Sequence, residues 1–119
     1  MDHVLIIEDD SDFATSLELI LGLHELQAVH VASGEDALAL LERRQGNIRL
    51  AFMDIKLPGM DGLSCLQEIH SRWPEIICIV MTGFRDKERL DRAHAVGAAD
   101  ILLKPFRMEK FVDLVKRYL

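Results

Sequence analysis

Short apolar runs recur along the chain at intervals of 21 to 28 residues. The five runs read HVLII, AVHVA, RLAFM, ICIVM and DILL. Near-continuous apolar runs of this length are typical of strands in a parallel sheet that is covered by helices on both faces. We therefore predict five buried parallel strands.

The segments that follow these runs have a helical pattern. In FATSLELILGLHEL, EDALALLERRQ, LSCLQEIHSRW, KERLDRAHAVG and MEKFVDLVKRYL, apolar residues recur at steps of three and four, which is typical of amphipathic helices. Ser33 followed by Asp36 has the form of a capping box, and Gly97 suits the end of the fourth helix. Strand and helix alternate five times, and this order predicts a doubly wound α/β fold.

Length and composition indicate one domain. The 119 residues are 50% hydrophobic and 29% charged, which is the usual balance of a globular domain that folds alone. The first apolar run is short and has no basic segment before it, whereas a membrane span needs about 18 apolar residues. We expect a single domain over residues 1–119, in the cytoplasm and away from membranes.

Charge and cysteine content narrow the classes of function. Twenty acidic and fourteen basic residues give a net charge of −6, so a broad basic surface for direct nucleic-acid binding is excluded. Cys65 and Cys78 have no CxxC spacing and lie among apolar residues. We expect both to be buried thiols in a reducing compartment.

Polar residues stand at the ends of four predicted strands. These residues are Glu8 and Asp9 after the first strand, Asp54 at the third, Thr82 at the fourth and Lys104 at the fifth. In a doubly wound sheet the carboxyl ends of the strands form the ligand site. The sequence therefore predicts that three acids, a hydroxyl and a lysine converge on one edge of the sheet.

Such a cluster of acids requires a cation to offset the repulsion between its carboxylates. Two carboxylates about 5 Å apart repel by roughly 3 kcal/mol at an effective dielectric constant near 20. Oxygen ligands with few protein carboxylates are typical of Mg²⁺, which is often shared with a phosphate. Lys104 would supply a point charge for the same anion. We assign Asp10 and Asp12 to the positive N-terminus of the first helix and leave them out of the metal set.

Four motifs in this order identify a family. The acidic pair at Glu8 and Asp9, MDIKLPGMDG around Asp54, MTG at Thr82 and GAADILLKPF around Lys104 together resemble the receiver domain of two-component response regulators. The resemblance covers essentially the whole chain. It implies a flavodoxin-like (βα)5 sandwich with a parallel five-stranded sheet in the order 2-1-3-4-5.

The resemblance also implies a reaction. Asp54 would accept a phosphoryl group from a phosphohistidine on a sensor histidine kinase or a phosphotransfer protein, in a reaction that needs Mg²⁺, for which Mn²⁺ can substitute. The implied metal set is Glu8 (through a bound water), Asp9, Asp54 and the backbone carbonyl of Lys56; the implied catalytic set is Asp54, Thr82 and Lys104. Apart from this self-phosphorylation and a slow autodephosphorylation, we expect no enzymatic activity.

The implied switch positions are Thr82 and Ile101. Receivers commonly carry Tyr or Phe where this chain has Ile101, so we expect Thr82 and residues 83–90 to change position on activation while Ile101 stays packed. A downstream output domain is expected if the chain is the N-terminal part of a longer regulator. A homodimer through the face of the fourth helix, fifth strand and fifth helix is a further expectation.

Three alternatives remain open at this stage. A haloacid-dehalogenase-like phosphatase needs a second Asp two residues after its nucleophile, where this chain has Lys56. A flavodoxin-like cofactor binder needs a phosphate loop rich in Ser and Thr after the first strand, and none is present. A degenerate receiver that serves only as a scaffold would be expected to lack Asp54 or Lys104.

Overall fold

The computed structural model describes residues 4–57 and 59–119; His3 of the first predicted strand and Pro58 of the motif around Asp54 lie outside the described residues. The predicted alternation of strands and helices is confirmed. The strands are β1 (Val4–Ile7), β2 (Ala28–Val31), β3 (Leu50–Asp54), β4 (Ile77–Thr82) and β5 (Ala98–Leu103). The helices are α1 (Ser11–Leu23), α2 (Gly34–Arg43), α3 (Gly62–Arg72), α4 (Lys87–Ala95) and α5 (Met108–Tyr118).

All strand pairs are parallel, and the order β2-β1-β3-β4-β5 is the predicted one. The chain runs outward from β1 to β2 and then returns past β1 to β3. This reversal of direction opens a crevice at the carboxyl ends of β1 and β3, which is where open α/β sheets bind ligands. The predicted acidic residues stand at these two strand ends.

Two apolar clusters hold the helices against the sheet. Alternate strand residues such as Leu5 and Ile7 pack in the cluster formed with α2, α3 and α4. Val4 and Ile6 pack in the other cluster, formed with α1 and α5. Since neighbouring strand residues point to opposite faces, a strand that is apolar throughout can be buried on both sides. This holds for β1, β3 and β4, whereas the edge strand β2 is half-buried throughout and β5 is buried only at Ala98 and Leu102.

Polar side chains start four of the helices. Each caps a helix by accepting a hydrogen bond from a backbone N–H of the first turn; these caps are Asp10, Ser33, Asp61 and Asp86. Asp10 and the first-turn residue Asp12 therefore take the helix-start positions predicted for them. The serine half of the predicted capping box is present, since Ser33 Oγ accepts from the Asp36 amide at 3.1 Å.

The first two helices end earlier than predicted. In each, the residue after the C-cap adopts a left-handed conformation, Glu25 with φ of 60° and Gln45 with φ of 54°. The next amides then close the helices: Leu26 donates to the Leu21 carbonyl at 2.9 Å and Gly46 to the Leu41 carbonyl at 2.8 Å. This is the Schellman arrangement, built here without the usual glycine at the left-handed position.

Both cysteines are buried, as predicted. Burial raises the pKa of Cys65 and of Cys78 to about 12, so both stay protonated near neutral pH and are poor nucleophiles. Among the helices in the described part of the chain, none is long and apolar enough to cross a membrane.

Gly62 has a close contact that no other residue type can make. A Cβ added to Gly62 would lie 2.6 Å from the Ile55 Cα and carbonyl oxygen and 2.7 Å from the Asp54 carbonyl oxygen. The Gly62 amide also donates to the Ile55 carbonyl at 2.9 Å. The start of α3 is thereby pressed against the loop that follows Asp54.

We predict that Gly62→Ala lowers the free energy of unfolding by about 1–3 kcal/mol, because backbone atoms cannot yield to the added methyl group. Gly22→Ala is the matched control: it has no neighbour within 4 Å and should raise stability by about 0.5–1 kcal/mol through helix propensity. Urea denaturation of both variants measures these two changes in the free energy of unfolding. Equal effects of the two substitutions would contradict the assigned contact.

Candidate functional site

The strand ends bring three carboxylates together. Glu8 and Asp9 follow β1, and Asp54 is the last residue of β3. One carboxylate oxygen from each lies within 4.8 Å of the others. Because β1 and β3 are neighbours with Ile7 opposite Met53, the register brings Glu8 beside Asp54, and Asp9 follows Glu8.

Glu8 is the buried member of this acidic cluster. Glu8 is 1% exposed, and its Oε2 has no hydrogen-bond partner among the described residues. Burial raises the pKa of Glu8, and the nearby Asp54 charge adds to this, while Lys104 opposes it. A buried carboxylate oxygen without a donor is costly unless a cation compensates it.

Lys104 supplies one positive charge to the cluster. It follows β5 directly, and its Nζ donates to Glu8 Oε1 at 2.8 Å and to Asp54 Oδ2 at 2.9 Å. Burial by itself would lower the pKa of Lys104, but the two carboxylates more than offset it and the pKa is raised. The ammonium also lies 4.7 Å from the centre of the Phe13 ring. Lys104 is therefore charged at neutral pH and held between two acids.

The loop after β3 orients Asp54. The Lys56 amide donates to Asp54 Oδ1 at 2.9 Å, so among residues 4–57 and 59–119 each carboxylate oxygen of Asp54 has a donor. Glu35 of α2 holds the far part of the loop by accepting from the Met60 amide at 3.2 Å. These contacts place the Lys56 backbone beside the cluster, and the Lys56 carbonyl as a metal ligand stays a prediction.

Thr82 ends β4 and is 2% exposed. Its Oγ1 accepts a hydrogen bond from the Phe84 amide at 3.0 Å, which leaves the hydroxyl proton free to be donated elsewhere. Its backbone carbonyl accepts from the Lys104 amide at 2.8 Å. Ile101 lies in β5 opposite Val80 and packs, half-buried, against the cluster formed with α2, α3 and α4.

The structure thus brings Glu8, Asp9, Asp54 and Lys104 into one site. Sequence reasoning missed three residues that contact it or its switch positions: Phe13, His30 and Phe84. Phe13 stands one turn after the acidic run at the start of α1, which is a weak signal. The contacts of His30 and Phe84 depend on strand neighbours and loop geometry, and no local pattern indicates them.

The residues present fit a hard divalent cation. The donors are carboxylate oxygens, one of them buried and without a partner, and oxygen ligands are those that Mg²⁺, Mn²⁺ and Ca²⁺ prefer. Lys104 contributes one positive charge against three negative ones. The site therefore keeps an excess of negative charge that a cation would neutralise.

Comparison with known proteins decides the family. The family model described as the response regulator receiver domain matches residues 4–116. The chain belongs to this family. It is thus a receiver domain of two-component response regulators, whose standard function is to be phosphorylated on an aspartate. Membership sets aside the haloacid-dehalogenase-like phosphatase and the flavodoxin-like cofactor binder.

Similar proteins include regulators that are longer than this chain. The chain is 39% identical to the response regulator protein FleR of Pseudomonas aeruginosa over 117 residues, which are 97% of this chain and 24% of FleR. It is 36% identical to the DNA-binding transcriptional regulator NtrC of Salmonella typhimurium over 114 residues, 96% of this chain and 24% of NtrC. The receiver therefore spans about a quarter of the length of these relatives.

Solved receiver structures have the same fold. A CheY-like receiver domain protein from Methanospirillum hungatei superposes with a TM-score of 0.91 at 27% identity, covering 98% of this chain and 92% of that one. The receiver domain of NtrX from Brucella abortus gives a TM-score of 0.88 at 30% identity, covering 98% of this chain and 97% of that one. The order 2-1-3-4-5 is the order expected for this family.

We predict that Mg²⁺ raises the melting temperature and that a chelator reverses the effect. A ligand at tenfold its dissociation constant adds about 1.4 kcal/mol to the free energy of unfolding, which is several degrees for a domain of this size. Calorimetry with and without Mg²⁺ measures the shift.

Asp9→Asn should abolish the Mg²⁺ effect on melting temperature. Asp12→Asn is the control, because Asp12 is an exposed acid in the first turn of α1 and lies outside the cluster of Glu8, Asp9 and Asp54. If Mg²⁺ stabilises Asp9→Asn as much as Asp12→Asn, the acidic cluster is not the metal site.

Proposed function

We propose that this receiver accepts a phosphoryl group on Asp54 from a phosphohistidine of a sensor histidine kinase or a phosphotransfer protein, and signals through a change of conformation. One observation carries the proposal: the Lys104 ammonium bridges Asp54 and Glu8, and the Asp9 carboxylate lies beside them at the strand ends. A carboxylate in this position is oriented by its neighbours and accessible to a phosphodonor, with 14% of its side-chain surface exposed.

The residues have complementary roles in this reaction. An Asp54 carboxylate oxygen attacks phosphorus, a P–O bond forms, and the P–N bond breaks with its electron pair left on the imidazole nitrogen. Phosphoryl transfer requires in-line positioning and neutralisation of the equatorial oxygens. The Lys56 amide and Lys104 fix the two oxygens of Asp54. Lys104 then pairs with a phosphoryl oxygen, and the Thr82 hydroxyl donates to another.

The same proposal includes Mg²⁺, or Mn²⁺ in its place. Asp9, Asp54 and the Lys56 carbonyl would hold the ion, with Glu8 acting through a bound water. When bound, the ion neutralises the charge that carboxylates and phosphoryl oxygens bring together. The unpartnered Oε2 of Glu8 supports this assignment, because it is the acceptor that such a water would satisfy.

We place this receiver in the cytoplasm, as residues 1–119 of a regulator with a downstream output domain. Its only chemistry in this proposal is self-phosphorylation and slow autodephosphorylation. A homodimer through the face of α4, β5 and α5 belongs to the same proposal. The lengths of FleR and NtrC, which extend well beyond their receivers, support the output domain.

We propose Thr82 and the segment after it as the moving part. The Thr82 hydroxyl can donate to a phosphoryl oxygen and still accept from the Phe84 amide, so Phe84 would follow Thr82. The Phe84 ring lies 4.1 Å from the Arg89 guanidinium of α4. That helix buries only Ala93 in full, so little apolar packing opposes its displacement.

We predict that acetyl phosphate labels Asp54 only when Mg²⁺ or Mn²⁺ is present, because the acidic cluster repels the anion until a cation neutralises it. Intact-protein mass spectrometry would show a gain of one phosphoryl group. Asp54→Asn should abolish the gain. Asp61→Asn is the matched control, since Asp61 is an exposed aspartate whose side chain caps α3.

Two results would contradict the phosphorylation proposal. One is equal labelling in excess chelator, and the other is undiminished labelling of Asp54→Asn. A receiver that takes up no phosphoryl group from acetyl phosphate or from a phosphorylated phosphotransfer protein would instead be a scaffold.

We predict that beryllofluoride with Mg²⁺ shifts the backbone amides of Thr82 and residues 83–90 while Ile101 keeps its rotamer. A β-branched side chain on a strand has few χ1 options, and Ile101 is packed against the core. Amide and Ile-methyl NMR spectra, with and without the ligand, measure both effects.

The Phe84→Leu variant separates the binding of beryllofluoride from the structural change that it causes in α4. It removes the contact with Arg89 and keeps the backbone amide that donates to Thr82, so beryllofluoride should still bind while the shifts in α4 become smaller. A full reorientation of Ile101 with unchanged residues 83–90 would overturn the proposed switch.

A further inference from the structure

A histidine on the neighbouring strand contacts the backbone of the acidic pair. His30 lies in β2, the edge strand beside β1, and its Nε2 is 2.6 Å from the Glu8 carbonyl oxygen. The ring is half-buried. A carbonyl oxygen only accepts hydrogen bonds, so Nε2 carries the proton and His30 donates.

This hydrogen bond acts on the peptide between two candidate metal ligands. The Glu8 carbonyl and the Asp9 amide belong to one planar unit, whose rotation changes the angle between the Glu8 and Asp9 side chains. The Glu8 amide donates to the Val31 carbonyl at 3.0 Å, just beyond the paired residues of β1 and β2. Both backbone groups of Glu8 are therefore held by β2.

Packing alone does not account for an imidazole at this position. The other residues of β2 are Ala28, Val29 and Val31, and an aliphatic side chain at position 30 would continue the apolar strand. Such a side chain could not donate a hydrogen bond. The Glu8 carbonyl lies where β1 ends and the chain turns toward the N-cap Asp10. At this point the donor to the carbonyl is the His30 side chain and not a backbone amide of the sheet.

We propose that His30 is a positioning residue for the metal site. It fixes the peptide between Glu8 and Asp9 and so preorganises these two carboxylates for a divalent cation, without touching the cation itself. The inference rests on the proposed function, since it assigns His30 to the metal-binding step of that function.

The test is Mn²⁺ binding to the unphosphorylated protein, measured from the electron paramagnetic resonance signal of free Mn²⁺. His30→Phe keeps a ring of similar size and removes the donor. We expect its Mn²⁺ affinity to fall about threefold to tenfold, the value of one net hydrogen bond. His30→Gln, which has an amide donor of similar reach, should recover most of the affinity.

Controls separate positioning from general destabilisation. His24→Phe replaces an exposed histidine after α1 and should bind Mn²⁺ like the unsubstituted protein. Melting temperatures in chelator show whether each variant is folded, and His30→Val is the second variant without a donor in case His30→Phe fails to fold.

Unchanged Mn²⁺ affinity in a folded variant without the donor would overturn the role of His30. An equal loss in His30→Gln and His30→Phe would overturn it too, because the hydrogen bond would then not be the cause. Absence of Mn²⁺ binding by the unsubstituted protein is a different failure, which contradicts the proposed metal site itself.

Discussion

The ion contact of Lys104 with Glu8 and Asp54 is the interaction on which the site depends. Three carboxylates with oxygens within 4.8 Å of one another repel strongly. The Lys104 ammonium, 2.8 and 2.9 Å from two of them, offsets part of this repulsion. The contact requires β1, β3 and β5 in the observed order, because Glu8 follows β1, Asp54 ends β3 and Lys104 follows β5. The sheet therefore holds three carboxylates close together, with the Lys104 ammonium between two of them.

The residues of the site could be predicted because each stands at a strand end. Asp54 closes an apolar run, and Lys104 follows another, so finding the strands also finds the polar residues that project from their ends. Parallel pairing then brings those ends to one edge. The same apolar runs predict the burial of the central strands β1, β3 and β4, since a covered parallel sheet is apolar on both faces, but not the half-burial of the edge strand β2.

Three features of the structure could not be predicted in this way. The Glu25 turn ends α1 early because a non-glycine residue takes a left-handed conformation, and no sequence rule marks a glutamate for this. The His30 contact needs β2 beside β1 and a particular register. The Phe84 contact needs the fold of the loop after Thr82. The His30 contact depends on tertiary structure, and the other two depend on backbone conformations that the residue types at these positions do not indicate.

The partners of the Lys104 ammonium are far apart along the chain. Glu8 is 96 residues away and Asp54 is 50 residues away, and Lys104 follows β5, an edge strand that pairs with β4 alone. During synthesis, the acidic residues leave the ribosome long before their counter-ion. A nascent or truncated chain that lacks β5 and Lys104 therefore carries the three carboxylates without the ammonium that contacts two of them.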